Sequence, residues 1–199
     1  LEDAVGSFTH ASASSILSYF GSDYGPQRHF SAASLLDPFA AWLSLHIEVA
    51  QEIKQLHETA PREQSWGIYA CALHETLNSD FAGSWAQIIQ KAGSPEPFIS
   101  GPALHVMGTL DFKDTEKAVA SADTLRICTG IVRTPGHALL GQAVSVLGHM
   151  IGTHERQVVP LLEEAGRTTE MAAVSGITHI LMRDARESWR EPWFRSLAS

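Results

Sequence analysis

Apolar residues recur at three- and four-residue steps along several long stretches of the chain, which is the spacing of one buried face on an α-helix. The first stretch follows Asp37-Pro38, a pair typical of a helix start because Asp accepts free backbone N–H groups and Pro lacks one. Its stripe consists of Phe39, Trp42, Leu43, His46, Val49, Ala50, Ile53, Leu56 and His57. The pattern predicts a helix over residues 38–60 with His46 in the middle of the apolar face, where helical bundles hold ligands.

The same pattern predicts three further long helices. The second covers residues 63–91 and is stopped by a cluster of glycine and proline. The third covers residues 102–120, and Ser100-Gly101-Pro102 marks its start. The fourth covers residues 135–165, which Thr134-Pro135 opens in the same way as Asp37-Pro38 opens the first.

Shorter helices are predicted over residues 13–20, 123–133, 169–182 and 184–197. No alternating run of β-branched residues and no Asn-Gly hairpin indicates a strand. We therefore predict an all-α fold, an up-down four-helix bundle over residues 37–199 with short flanking helices, preceded by a partly helical extension over residues 1–36. The side chains expected to share its core are Trp42, Leu43, Leu73, Leu77, Leu147 and Leu161.

Composition and charge limit the possible partners and the cellular location of this protein. The net charge is −8 and no cluster of Lys and Arg stands out, which argues against nucleic acid or an anionic membrane as a partner. No apolar run approaches the roughly 20 residues of a membrane span. Cys71 and Cys128 are too far apart for metal spacing, and they fit buried thiols of an intracellular protein of the nucleus or cytoplasm. Because the chain begins Leu1-Glu2-Asp3, without Met or a signal peptide, we expect it to be a segment of a longer protein.

Ten histidines are many for this length, and several share one depth of the predicted bundle. Alternate helices run antiparallel, so one layer takes ligands early on odd helices and late on even ones. His46 and His105 lie early on the first and third helices. His74 lies near the middle of the second helix, and His149 and His154 lie well into the fourth. These positions are consistent with one shared layer of histidines.

The remaining histidines are expected to be structural or solvent-facing. His57 follows His46 by eleven residues, or roughly 16 Å along a helix axis, so it cannot join the same layer. The others in this group are His10, His29, His137 and His179.

Three stretches together resemble the hemerythrin (HHE) family. Residues 38–57 have its Pro-x7-His-x10-His frame, and His74-Glu75-Thr76-Leu77-Asn78 falls at its His-x3-Glu. Residues 148–162, which include His149, His154 and the run Gln157-Val158-Val159-Pro160-Leu161-Leu162, are similar to its fourth-helix motif. The tail Glu191-Pro192-Trp193-Phe194 resembles the short helices that follow. The similarity covers residues 37–199 and is greatest to the hemerythrin domains of BRUTUS-type plant and algal iron-sensing ubiquitin ligases.

The resemblance implies a non-haem iron site, with two irons or a single metal. The ligands it implies are His46, His74, Glu75, His105, His149, His154 and Glu155. It also implies a regulatory role in a larger ubiquitin ligase: metal binding orders the bundle, and this change reports iron status to the rest of the chain and its protein partners. No catalysis is assigned to this segment.

Two departures from the family pattern keep other hypotheses open. Asn78 stands where the family has a bridging carboxylate, although Glu75 could partly substitute for it. The fourth helix has one extra residue between His149 and Pro160, so either His149 or His154 is the ligand unless a one-residue bulge restores the frame. More imidazole and less carboxylate favours a softer single metal, or a bundle that has lost its metal and has a structural or protein-contact role. An iron oxidase is a third hypothesis, and it would need an open substrate cavity.

Overall fold

The computed structural model describes residues 12–23, 39–114, 117 and 119–167. Every regular element in these ranges is a helix, and the predicted all-α fold is confirmed for them. The Asp37-Pro38 helix start and the short helices predicted over residues 169–182 and 184–197 lie outside the described residues. Within the described ranges, no helix is both long and apolar enough to cross a bilayer.

The chain divides into two compact units, Leu1–Val106 and Met107–Ser199. The boundary that the sequence predicts, between residues 36 and 37, falls inside the first unit. Its helices are α1 (Ala13–Asp23), α2 (Ile47–Thr59), α3 (Trp66–Ser79), α4 (Phe81–Ala92) and α5 (Pro97–Gly108), which ends just past the boundary. A 3₁₀ turn, Glu63–Ser65, precedes α3, and residues 39–43 are also helical.

The core of the first unit is formed by residues from both sides of the predicted boundary. Ala13 and Ile16 of α1, within the stretch predicted to be an extension, are fully buried against this core. The other members of the cluster are Phe39, Trp42, Leu43, Ala50, Ile53, Ile68 and Ala72. The α1 helix is therefore an integral part of the first unit.

The single helix predicted over residues 38–60 is wrong, because the chain leaves helical geometry at His46 (φ −135°, ψ 59°). Side chains replace the backbone donors that a continuous helix would use. The Ser44 hydroxyl donates to the Ala41 carbonyl at 2.8 Å, and His46 Nδ1 lies 2.9 Å from the Trp42 carbonyl. Ser and His thus satisfy two carbonyls locally and end the first segment. The α2 helix starts at Ile47, with His46 as its N-cap.

The single helix predicted over residues 63–91 is also wrong, because it is divided at Asp80. The Thr76 carbonyl accepts from the Asp80 N–H and from the hydroxyls of Ser79 and Ser84. The Asp80 carboxylate then caps α4 by accepting from the Gly83 N–H at 3.0 Å. A side chain at Gly83 would collide with that carboxylate, so glycine is needed for the cap to close.

The third helix begins five residues before its predicted start and ends well before its predicted end. It begins at Pro97 and ends at Gly108, so Pro102 lies inside the helix instead of at its start. Beyond it, the Asp111 carboxylate accepts from the Lys113 N–H at 3.0 Å, which favours a turn over a helix. The predicted continuation through Val119 is therefore wrong.

The second unit contains α6 (Ala120–Val132) and α7 (Leu140–Gly166), which pack against each other. The α6 helix confirms the short helix predicted over residues 123–133. The α7 helix begins five residues after Pro135, because residues 134–139 form turns in which Gly136 has φ +72°. It is also irregular at His154 (φ −130°, ψ 33°), within the segment where the sequence has its extra residue.

All six predicted core residues are buried, four in the first unit and two in the second. Cys128 is buried on α6, and burial raises the pKa of its thiol to about 12, so it is protonated and unreactive at neutral pH. Cys71 is half-buried on α3.

Candidate functional site

His46 is half-buried at the N-cap of α2, not two turns inside a helix as its sequence position predicts. Its ring stacks on the indole of Trp42, with ring centroids 4.3 Å apart and planes 18° from parallel. The Trp42 carbonyl beside Nδ1 can only accept, so the proton of the neutral ring is on Nδ1. This tautomer leaves the lone pair of Nε2 available as a metal ligand.

His74 and Glu75, neighbours on α3, are hydrogen-bonded to each other. His74 Nδ1 lies 2.9 Å from Glu75 Oε1 and 3.2 Å from Asn78 Nδ2. One ring nitrogen cannot donate to the carboxylate and accept from the amide at once. The shorter, charged contact assigns the proton to Nδ1, which again leaves the lone pair on Nε2.

Glu75 is the one buried carboxylate in the part of the chain that the structure describes, with 8% of its surface exposed. A buried carboxylate is costly unless cations or hydrogen-bond donors compensate its charge. The donor in contact with it is His74 Nδ1. The pair therefore combines a buried carboxylate with an oriented imidazole.

The other predicted ligands are more exposed. His105 is exposed on α5, with its ring 5.2 Å from that of Trp66. In the second unit, His149 and Glu155 are exposed on α7. His154 is half-buried at the irregularity of α7, where its Nδ1 lies 2.8 Å from the Thr153 hydroxyl.

No three His, Cys, Asp or Glu side chains come together as a metal-binding group within the described residues. Four of the seven predicted ligands belong to the first unit and three to the second. The structure brings together His74 and Glu75, and it orients His46. The donor types suit iron, but the arrangement supplies two oriented imidazoles, His46 and His74, with Glu75 as the partner that orients His74, and not a complete coordination shell.

Two histidines predicted to be structural have different partners. His57 is buried on α2 and stacks on Tyr69, with ring centroids 4.2 Å apart. Its Nδ1 lies 2.8 Å from the Ser65 hydroxyl, and its Nε2 lies 2.9 Å from the Phe98 carbonyl. His137 Nδ1 accepts from the Leu139 N–H at 3.2 Å. In both rings Nδ1 already has a protein partner, and in His57 Nε2 has one as well.

Pro102 explains why the ring of His57 forms a hydrogen bond to the Phe98 carbonyl. In a continuous α-helix the Phe98 carbonyl would accept from the N–H four residues later, but that residue is Pro102, which has none. His57 Nε2–H supplies the missing donor. This long-range hydrogen bond is the physical reason why Pro102 is tolerated inside α5, where the sequence predicts a helix start.

A cluster of charged residues on α2, α3 and α4 is not apparent from sequence motifs. Lys91 Nζ lies 2.6 Å from Glu58 Oε1, which also accepts from the Tyr69 hydroxyl at 3.0 Å. Burial and the nearby Glu58 carboxylate raise the pKa of Tyr69 above its usual range. Lys54 donates to the Thr76 hydroxyl at 3.2 Å. The local sequence offered one hint, the four-residue spacing of Lys54 and Glu58 on α2.

Comparison of the chain with known proteins identifies no relative. No protein-family model, no curated protein and no solved structure matches the chain. The expected relation to the hemerythrin family is therefore supported by sequence motifs alone.

Proposed function

We propose that this chain is an iron-binding regulatory module of the hemerythrin type, built on an up-down helical bundle. The motif spacing over residues 37–199 supports the family, and the helical fold is compatible with it. The observation that carries the metal proposal is the His74–Glu75 pair on α3, because it is a buried carboxylate that orients an imidazole.

The chemistry of that pair favours a cation. Histidines that bind metals commonly donate their second ring N–H to a carboxylate or a backbone carbonyl, which fixes the tautomer and makes the other nitrogen a better ligand. His74 has the carboxylate form of this arrangement and His46 has the carbonyl form. Bound iron would supply positive charge beside a carboxylate that the fold has removed from water.

The regulatory part of the proposal follows from linkage. A metal that binds the folded chain more tightly than the unfolded chain stabilises the fold in proportion to its free concentration. In the proposed setting, a longer intracellular ubiquitin ligase that senses iron, this gain in order would be the signal to its protein partners.

Iron content per chain tests the proposal. The protein is reconstituted anaerobically with ferrous iron, dialysed and analysed for bound metal. We expect wild type to retain iron, and His74→Ala and Glu75→Gln to retain several-fold less. His137→Ala is the matched control and should retain as much as wild type, because its Nδ1 caps a turn. Hydrogen exchange with and without iron then shows whether binding orders the helices.

A metal-free helical module with a structural or protein-contact role is the second candidate function. It is favoured by the finding that no three potential ligands come together within the described ranges. If wild type retains no more iron than His74→Ala, with both proteins folded by circular dichroism, the metal proposal is wrong and this second function replaces it.

A further inference from the structure

A polar pocket of about 330 Å³ lies between α2, α3 and α4 in the first unit. This volume lies at the lower end of the range for small-molecule sites, about 300–1,000 Å³. The described residues that line it include no aliphatic or aromatic side chain. Amides from Gln51, Gln55 and Gln87 supply both donors and acceptors along the walls. Such a lining offers no surface for an acyl chain or an aromatic ring.

The charged side chains of the pocket differ in whether they form a direct ion pair. It contains two ammonium groups, on Lys54 and Lys91, and two carboxylates, on Glu58 and Asp80. Glu58 is engaged by Lys91 at 2.6 Å, and Asp80 is engaged by the Gly83 N–H. Among the described residues, no carboxylate forms an ion pair with Lys54, whose nearest partner is the neutral Thr76 hydroxyl. The Lys54 ammonium therefore has no direct ion pair among these residues, and Glu58 acts on it only at longer range; Asp80 has no direct ion pair among them either.

The electrostatics of Lys54 agree with this assignment. Burial lowers the pKa of Lys54, the Lys91 ammonium lowers it further, and Glu58 opposes both. An anion beside the Lys54 ammonium would relieve the two unfavourable effects at once.

We propose that this pocket binds a small polyhydroxylated monocarboxylate of the sugar-acid class, with its carboxylate on Lys54 and its hydroxyls on the glutamine amides and Asp80. The Lys54 ammonium, which has no direct ion pair among the described residues, matches one carboxylate. Amides and a carboxylate oxygen match a chain of hydroxyls, which both donate and accept. The site goes beyond iron binding and is independent of it.

Gluconate is the probe, measured by isothermal titration on the full metal-free chain. Two related probes separate its parts: glucitol has the hydroxyls without the carboxylate, and acetate has the carboxylate without the hydroxyls. We expect saturable binding of gluconate, and binding of glucitol and acetate that is at least tenfold weaker.

Three variants locate the site. Lys54→Gln should weaken gluconate binding at least tenfold, and Gln87→Ala, at an exposed position of α4 that tolerates change, should weaken it severalfold. Lys113→Gln, which removes an exposed lysine of the second unit, should leave it unchanged. Equal binding of gluconate and glucitol would overturn the proposal, as would no binding of gluconate. Unchanged affinity in both pocket variants would also overturn it.

Discussion

His57 on α2 and His74 on α3 lie on packed, antiparallel helices of the first unit, and their ring nitrogens meet different partners. The buried ring of His57 has Ser65 at Nδ1 and the Phe98 carbonyl at Nε2. The ring of His74 is 37% exposed, and its Nδ1 contacts a buried carboxylate. The capacity of a histidine to bind a ligand is therefore set by the partners of both nitrogens. Burial in an apolar stripe does not decide it.

The partners of His57 also determine its proton. The Phe98 carbonyl can only accept, so Nε2 carries a hydrogen and Nδ1 of the neutral ring is an acceptor. The single hydrogen of the Ser65 hydroxyl then goes to Nδ1 at 2.8 Å in preference to the Arg62 carbonyl at 3.2 Å. No lone pair remains for a metal. His74 and His46 carry the opposite tautomer, with the proton on Nδ1. The predictions below test this contrast.

The largest expected effect is that of His57→Ala on stability. The change removes the ring stacked on Tyr69, leaves a cavity and deprives the Phe98 carbonyl of its donor. We expect a loss of about 2–4 kcal/mol in the free energy of unfolding, the same with and without ferrous iron. Urea denaturation measures it. In the metal-free protein His74→Ala should cost less, about 1–2 kcal/mol: its ring is partly exposed, but the buried Glu75 carboxylate loses its donor.

A second variant isolates the hydrogen bond. Pro102→Ala restores a backbone N–H four residues after Phe98, which can then satisfy the carbonyl from within α5. His57→Ala should therefore cost about 1 kcal/mol less in the Pro102→Ala background than in wild type. Additive losses would show that the Phe98 carbonyl does not depend on His57.

The errors in the predicted helices also arise from side chains that form hydrogen bonds to backbone carbonyls. Periodicity located most of the helical stretches, because the buried stripe is a local pattern. It could not locate the breaks at His46 and Asp80, since at both breaks side chains form hydrogen bonds to backbone carbonyls of the preceding helix. It also misplaced Pro102, because the carbonyl that this proline leaves without a backbone donor is satisfied by a residue distant in sequence, His57.

The candidate site was predictable to a similar extent. The adjacency of His74 and Glu75 is visible in the sequence, and so is the spacing to Asn78. The burial of Glu75 and the tautomers of His46 and His74 depend on which carbonyls and carboxylates the fold brings near them. The polar pocket around Lys54 combines residues from three helices, and no local motif marks it.

The next largest expected effect is a loss of folding stability as the pH falls below 6.5. Burial lowers the pKa of His57 below its ordinary value of 6.5, and this outweighs the raising effects of the Phe98 carbonyl, Glu58 and Glu96. Above pH 6.5 His57 is neutral in both states and its stabilisation is complete. Below it, the unfolded chain takes up a proton that the folded chain does not bind until its lower pKa is reached. Stability falls over that interval, by at most about 1.4 kcal/mol per pH unit.

His57→Gln is the variant that checks this pH dependence, because an amide can still donate to the Phe98 carbonyl without titrating. Denaturation is measured from pH 7.5 downward in both proteins. The difference in unfolding free energy between them should shrink as the pH falls below 6.5. A constant difference would mean that His57 has the same pKa in the folded and unfolded states.

His46→Ala should have a smaller effect on the metal-free protein, about 1 kcal/mol. The change removes the stacking on Trp42, but the Trp42 carbonyl keeps the Leu45 N–H at 3.1 Å as a donor. If His46 binds iron, the variant should also lose the rise in melting temperature that ferrous iron produces in wild type. His46→Phe keeps an aromatic ring and has no nitrogen, so it should match wild type more closely without iron and lose the same rise. An undiminished rise in both variants would exclude His46 as a ligand.

The smallest expected effect on stability belongs to Asn78→Glu, and its value lies in the iron it retains. Asn78 is exposed and one turn after His74, with its amide 3.2 Å from Nδ1, so residue 78 faces the His74–Glu75 pair. A second carboxylate there repels Glu75 but can accept from His74, and we expect the unfolding free energy to change by less than about 0.5 kcal/mol.

The added negative charge should raise iron retention after dialysis above that of wild type. Asn78→Gln, which lengthens the side chain without charge, should retain no more than wild type. If both variants retain the same iron, charge at position 78 does not reach the metal, and the alignment of α3 with the family's His-x3-Glu motif is wrong.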